Sequence, residues 1–246
     1  MRVFSVCGIT QSGKTTTIEN IIREFKKRKY SVGSVKEIHY EEFEIDDEGT
    51  NTYRHKTAGS SLVTARGYNE TDILYQKKLS IEDILKFYYH DYVVLEGVMD
   101  SNVPKIITAH TTKEIDEKLD GLVFAISGRI AEDITEYKGI PVINSIKDIE
   151  KLVDLIEEKV YRKIPDFKEE CLGFDTKEIG AKILNDEINR EDIDNNSKIK
   201  LLIDDTEIDL VPFVQNILYN SVIGVVKELD GFKKSSKIKI EIEEVR

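Results

Sequence analysis

The sequence predicts an α/β fold: a mostly parallel sheet flanked by helices, followed by a small α+β module of ββαβ order. Three observations carry that prediction. Strand, loop, helix and strand patterns succeed one another within the first 36 residues, the order of a βαβ unit. Further short apolar runs, each readable as a strand, recur as far as Ile143. Beyond Lys163-Ile164-Pro165-Asp166 the composition shifts towards Asp, Glu and Asn, and a compact alternating pattern closes the chain.

Taken in order, Val3 to Cys7 reads as a short buried strand and Gly8 to Gly13 as a loop. Thr15 to Arg28 reads as a helix, with Ile18, Ile21, Ile22 and Phe25 on one face and cations at its end, where the dipole favours them. Ser31 to Lys36 is a second strand. Glu37 to Asn51 is polar, acidic and aperiodic, as functional loops of that length usually are. Thr52 to Gly59 suits a short helix. Ser61 to Ala65 and Asp72 to Gln76 suit a hairpin turning at Gly67-Tyr68-Asn69-Glu70. Ser80, with Asp83 three residues on, caps a helix to Tyr88. Strands follow at Tyr92 to Leu95, Lys105 to Ala109, Gly121 to Ile126 and Pro141 to Ile143, then a helix from Lys147 to about Tyr161.

Residues 1–163 are therefore expected to form one nucleotide-binding domain. Residues 164–197 read as an acidic linker with one helix, Thr176 to Leu184. Residues 198–246 read as the ββαβ module: strands at Lys200 to Ile203 and Glu207 to Leu210, a helix opening at Pro212, and a strand at Lys237 to Glu243. Pro suits the first position of a helix. Phe213, Ile217, Leu218, Val222, Val225, Val226 and Leu229 form its apolar face, and Gly231 its C-cap.

The chain has 246 residues, 40% hydrophobic and 34% charged, enough to bury a core. A net charge of -11 argues against a broad nucleic-acid surface. The two cysteines, Cys7 and Cys171, cannot build a disulfide framework, so a reducing cytoplasm is the simplest setting. The first residues are too soon interrupted by Gly8 to serve as a signal peptide, and no apolar run is long enough to span a membrane.

The most specific chemistry lies in Gly8-Ile9-Thr10-Gln11-Ser12-Gly13-Lys14-Thr15, which meets G-x-x-x-x-G-K-[ST] at every defined position. The glycines let the backbone curl its N–H groups towards phosphate oxygens, and the helix start adds its positive end. Lys14 would reach the β- and γ-phosphates, and the Thr15 hydroxyl would coordinate Mg²⁺. Gln11, Ser12, Gly13 and Thr16 complete the candidate phosphate-binding set with Gly8. The motif lies between an apolar strand and a helical pattern, so the expected fold is P-loop NTPase-like.

A second acidic element is Glu96, at the C-terminal tip of Val93-Val94-Leu95. There it shares a sheet edge with the motif and can hold Mg²⁺ or orient a water. An ordinary solvated strand end is the alternative. His39 and Asp46 leave the second strand at that same edge and are candidates for ligand or metal contact. His39, His55, His90 and His110 lack zinc spacing. Asn144-Ser145-Ile146-Lys147-Asp148 resembles the guanine-reading N-K-x-D motif only loosely, so spacing leaves GTP and ATP open.

Four blocks in sequence resemble the molybdopterin-guanine dinucleotide biosynthesis protein B (MobB) family over residues 1 to 160. They are the Gly8-to-Thr17 loop; Lys36-Glu37-Ile38-His39-Tyr40 with Phe43 and Asp46; Gly49-Thr50-Asn51-Thr52-Tyr53-Arg54-His55 with Ala58-Gly59; and Asp91-Tyr92-Val93-Val94-Leu95-Glu96-Gly97 with Pro104-Lys105-Ile106. Glu37 and Tyr40 stand where the family usually has His, and Thr50-Asn51-Thr52 where it has Lys-Asp-Ser.

The resemblance implies GTP, Mg²⁺, weak hydrolysis and a homodimer. It also implies an adapter role towards the molybdenum cofactor guanylyltransferase, which joins GMP to the molybdopterin cofactor. It places His39, Asp46 and Glu96 at site positions, with Glu96 and Lys14 as the catalytic pair and Thr15, Glu96 and Asp46 around the metal. Cys171-Leu172-Gly173-Phe174-Asp175-Thr176 loosely resembles iron–sulfur segments fused to some relatives, but only one of four thiolates is there. A P-loop small-molecule kinase and a nucleotide-dependent metallochaperone-like switch are the competing functions. The first lacks a clustered Arg lid and the second lacks Cys or His clusters.

Overall fold

The structure, a computed structural model, describes residues 1–164, 174–190, 193, 201–204, 206–208, 212–229 and 238–239. The chain divides into two compact units, Met1–Ile188 and Asn189–Arg246. The first unit opens with β1 (Arg2–Gly8), α1 (Lys14–Lys27), β2 (Val32–Lys36), α2 (Asn51–Thr57), β3 (Leu62–Arg66), β4 (Thr71–Tyr75) and α3 (Ile81–Leu85). It continues with β5 (Tyr92–Glu96), β6 (Lys105–Thr108), α4 (Thr112–Asp116), β7 (Val123–Ser127), a 3-10 turn (Arg129–Glu132), β8 (Glu136–Tyr137), β9 (Ile140–Pro141), α5 (Ile149–Lys159) and α6 (Thr176–Leu184).

Five strands build one sheet in the order β2-β5-β1-β6-β7, and every pairing in it is parallel. The predicted mostly parallel sheet flanked by helices is therefore present. Parallel sheets need both faces covered. Phe25 of α1 stacks on Tyr92 with ring centroids 4.2 Å apart and meets Phe4 at 6.5 Å, which seals one face. On the other, Leu85 of α3 packs with Val3, Val93 and Leu95. Arg28 clasps α1 to α5: its guanidinium donates to Glu24 at 2.9 Å, Asp154 at 2.6 Å and Glu157 at 3.1 Å.

The β3–β4 hairpin forms its own antiparallel sheet and turns where Gly67 N–H donates to the Glu70 carbonyl, as the sequence predicts. The expected strand at Pro141 to Ile143 is different. Glu136–Tyr137 and Ile140–Pro141 pair as a small hairpin, and only Val142 bridges to Ile126 of β7. Pro141 has no N–H to donate to a longer ladder. Lys138 and Gly139, at φ 53° and 79°, supply the two left-handed residues of a tight hairpin turn.

Helix α6 has the predicted bounds and begins with a capping box between Asp175 and Glu178. It belongs to the first unit. Gly180 lets it approach so closely that a Cβ there would lie 2.5 Å from the Tyr161 hydroxyl and 2.8 Å from Leu122. Lys177 reaches Asp120 at 3.3 Å, and Asp120 also pairs at 2.8 Å with Lys105, a buried lysine on β6.

In the second unit, β10 (Leu201–Ile203) and β11 (Thr206–Ile208) form an antiparallel pair, and α7 (Pro212–Val226) follows. Of the predicted apolar face of α7, Ile217 and Val225 are exposed, as is Leu229 just beyond it. The segment around Cys171, the Gly231 cap and most of the strand predicted at Lys237 to Glu243 lie outside the described residues.

Candidate functional site

The C-terminal edge of the sheet opens into a cavity of about 1030 Å³. Its floor is the loop between β1 and α1. β1 is the central strand and the chain leaves it to opposite sides, β5 on one flank and β6 on the other. Ligands of open α/β sheets bind at such a reversal.

The loop is held in shape from below. Gly8 packs so tightly on β6 that a Cβ would sit 2.3 Å from the Thr108 carbonyl oxygen. Ser12 is fully buried, and its hydroxyl is 2.8 Å from the Ile9 carbonyl and 2.7 Å from the Thr108 hydroxyl. Its side chain therefore braces the loop and does not line the cavity. Gln11 turns through a left-handed φ of 62°, and its carbonyl lies 3.1 Å from His110 Nε2. Gly13, at φ 103°, starts α1, whose first-turn amides have no acceptor within the helix. Thr16 lines the cavity at that turn.

Lys14 folds over the loop, donating to the Gly8 carbonyl at 3.1 Å and to the Ile9 carbonyl. Burial holds its pKa below the usual lysine value, and the nearby Glu96 carboxylate opposes that fall. Glu96 Oε1 accepts from the Thr15 hydroxyl at 2.9 Å and from Lys36 Nζ at 2.8 Å. The motif threonine and the strand-end carboxylate are thus brought face to face. The register explains it: Glu96 pairs with Val6 of β1 on one side and Lys36 of β2 on the other.

His39 also lines the cavity, beside Gly97. Asp46 does not. Its Oδ1 accepts from Thr50 at 2.7 Å and from Thr52 at 2.8 Å, ahead of α2. These bonds, Thr50 first, lower its pKa. Among the described residues no group of three or more His, Cys, Asp or Glu gathers as a metal site. Thr15 and Glu96 suit a cation that takes most of its oxygens from phosphate and water, as Mg²⁺ does.

Several further residues line the cavity without having been singled out as site candidates. Lys36 was signalled by its place at a strand end and at the head of the Lys36-Glu37-Ile38-His39-Tyr40 block, and Asn144 and Ile146 only by the loose likeness of their segment to N-K-x-D. Gly128, Arg129 and Glu132 follow β7, and Asn144 and Ile146 follow the bridge at Val142. A Cβ on Gly128 would lie 2.4 Å from the Ser12 carbonyl oxygen, so this glycine clamps the loop from the far side. The Ser127-Gly128 pair ending an apolar run was the available signal.

Comparison with known proteins bears on the family and the fold. The family model described as molybdopterin guanine dinucleotide synthesis protein B matches residues 3–126. A putative molybdopterin-guanine dinucleotide biosynthesis adapter protein of Methanocaldococcus jannaschii is 27% identical over 252 residues, spanning 99% of this chain and 98% of that protein. A probable adapter protein of the same description from Bacillus subtilis is 25% identical over 147 residues, 58% of this chain and 85% of its own length. The crystal structure of Bacillus subtilis MobB shares the fold at a TM-score of 0.56 and 22% identity, covering 66% of this chain and 100% of that one.

Proposed function

This chain belongs to the MobB family, and from that premise we propose that it is a GTP-binding adapter of molybdenum cofactor biosynthesis. In this reading it assists the guanylyltransferase that joins GMP to molybdopterin. The observation that carries the nucleotide half is the 2.9 Å contact between Thr15 and Glu96 at the mouth of a complete phosphate loop. The adapter half is supported by relatives bearing that description, one of them matching along nearly the whole chain.

Gly13 and the first-turn amides of α1 would cradle phosphate oxygens, and Lys14 would exchange the loop carbonyls for β- and γ-oxygens. Thr15 and Glu96 would hold Mg²⁺, which neutralises developing phosphate charge when bound. Glu96, with an oxygen left over, can also orient a water, consistent with weak hydrolysis. Lys36 shares the same carboxylate oxygen and balances its charge.

The reading also includes a homodimer. It is supported by the β3–β4 hairpin, which exposes Leu62 and Ile73, since an isolated two-stranded hairpin is marginally stable in water. Titration of GTP and ATP with and without Mg²⁺ tests the nucleotide assignment. GTP preference with Mg²⁺ dependence is expected, and ATP preference would overturn it. Nucleotide-dependent co-purification with the guanylyltransferase tests the partner.

A further inference from the structure

Three carboxylates line the cavity: Glu37, Glu96 and Glu132. Two are engaged. Glu96 accepts from Thr15 and Lys36, and Glu37 accepts from Lys78 at 2.6 Å. Glu132 is exposed, and its carboxylate makes no hydrogen bond or ion pair among the described residues.

Its position decides what it can meet. Glu96 lies on β5, on one flank of β1, and marks the metal end of the cavity. Glu132 ends the turn after β7, on the opposite flank. A nucleotide whose terminal phosphates sit by Thr15 and Glu96 therefore extends its base towards the β7 side. There the walls change character. Asn144 Oδ1 accepts from the Ile146 and Lys147 amides at 2.9 and 3.2 Å, which fixes the loop. That loop presents Ile146, 69% exposed, to the cavity as an apolar plate for a flat ring.

We propose that Glu132 reads the Watson–Crick edge of guanine. The inference rests on the GTP reading above and assigns its base selectivity to one residue. An ionised carboxylate only accepts hydrogen bonds, and guanine offers N1–H and the N2 amino group side by side. Adenine places an unprotonated N1 on that edge, so its lone pair would face the carboxylate. The role of the aspartate in N-K-x-D thus passes to a residue upstream of the Asn144 loop.

The test is calorimetric titration of the full chain with GDP, ADP and xanthosine diphosphate in the presence of Mg²⁺. Xanthine keeps N1–H but carries an oxygen at C2. A Gln at this position would accept from N1–H and donate to that oxygen. Glu132→Gln is expected to lose about 10- to 100-fold in GDP affinity and to gain xanthosine diphosphate binding. Glu132→Ala should lose guanine preference without that gain. If the unaltered chain prefers GDP to ADP and Glu132→Gln keeps that preference without gaining xanthine binding, the role of Glu132 is overturned while the GTP reading stands. An unaltered chain with no guanine preference overturns both.

Discussion

At the scale of single residues, the proposed function divides the work between Lys14 and Glu96. Lys14 is held below its ordinary pKa of 10.5 because the loop partly desolvates its ammonium. The charged form is disfavoured by this burial, so this residue's contribution to stability grows as pH rises through the lowered pKa towards 10.5. Phosphate reverses the balance by favouring the ammonium. Nucleotide binding should then take up protons in alkaline solution and weaken as pH rises through that window. Calorimetry in buffers of different ionisation enthalpy measures the uptake. Lys14→Ala should lose about 2–5 kcal/mol of nucleotide affinity and leave the thermal transition intact. Unchanged affinity would contradict the role. Glu96→Gln keeps an acceptor for Thr15 but removes the charge. Its turnover should fall more than its nucleotide affinity does, and equal losses in single-turnover and binding measurements would reduce Glu96 to a metal anchor.

At the scale of elements, the site is a loop clamped between two strands. Gly8 presses on β6 and Gly128, at φ 87°, presses on the Ser12 carbonyl from the end of β7. Gly128→Ala adds backbone strain of about 1–3 kcal/mol and forces a Cβ into the loop itself. Both the melting temperature and nucleotide affinity should drop, and normal affinity would mean the loop is shaped without this clamp. The clamp also shows what the sequence disclosed. The loop, α1 and β2 were legible because their signals are local: an apolar run, a glycine-lysine-threonine step and a helical period. Glu96 was legible because a carboxylate ending an apolar strand points to the ligand edge. Gly128 and Glu132 were not, since they reach the cavity only through the β1-β6-β7 order, which is a long-range pairing. Asp46 illustrates the converse. Position after β2 placed it near the edge, but Asp46 lies outside the cavity lining, with Thr50 and Thr52 both donating to its Oδ1.

At the scale of the whole molecule, the surface offers one further test. The β3–β4 hairpin pairs with no strand of the main sheet, and Ile73 on it is 51% exposed. If the proposed dimer is built on this face, Ile73→Glu should lower the sedimentation coefficient from that of a dimer to that of a monomer without altering nucleotide affinity, and an unchanged coefficient would overturn the hairpin as the contact. The sheet order carries a different consequence for how the protein comes into being. β1 is made first, yet its flanking strands begin only at Tyr92 and Lys105. During synthesis, therefore, β1 waits with apolar Val3, Phe4 and Val6 unpaired until the chain has been made as far as Tyr92 and Lys105. Such delayed pairing exposes a chain to aggregation, and no ligand of the sheet edge could offer protection until β5 and β6 have left the ribosome.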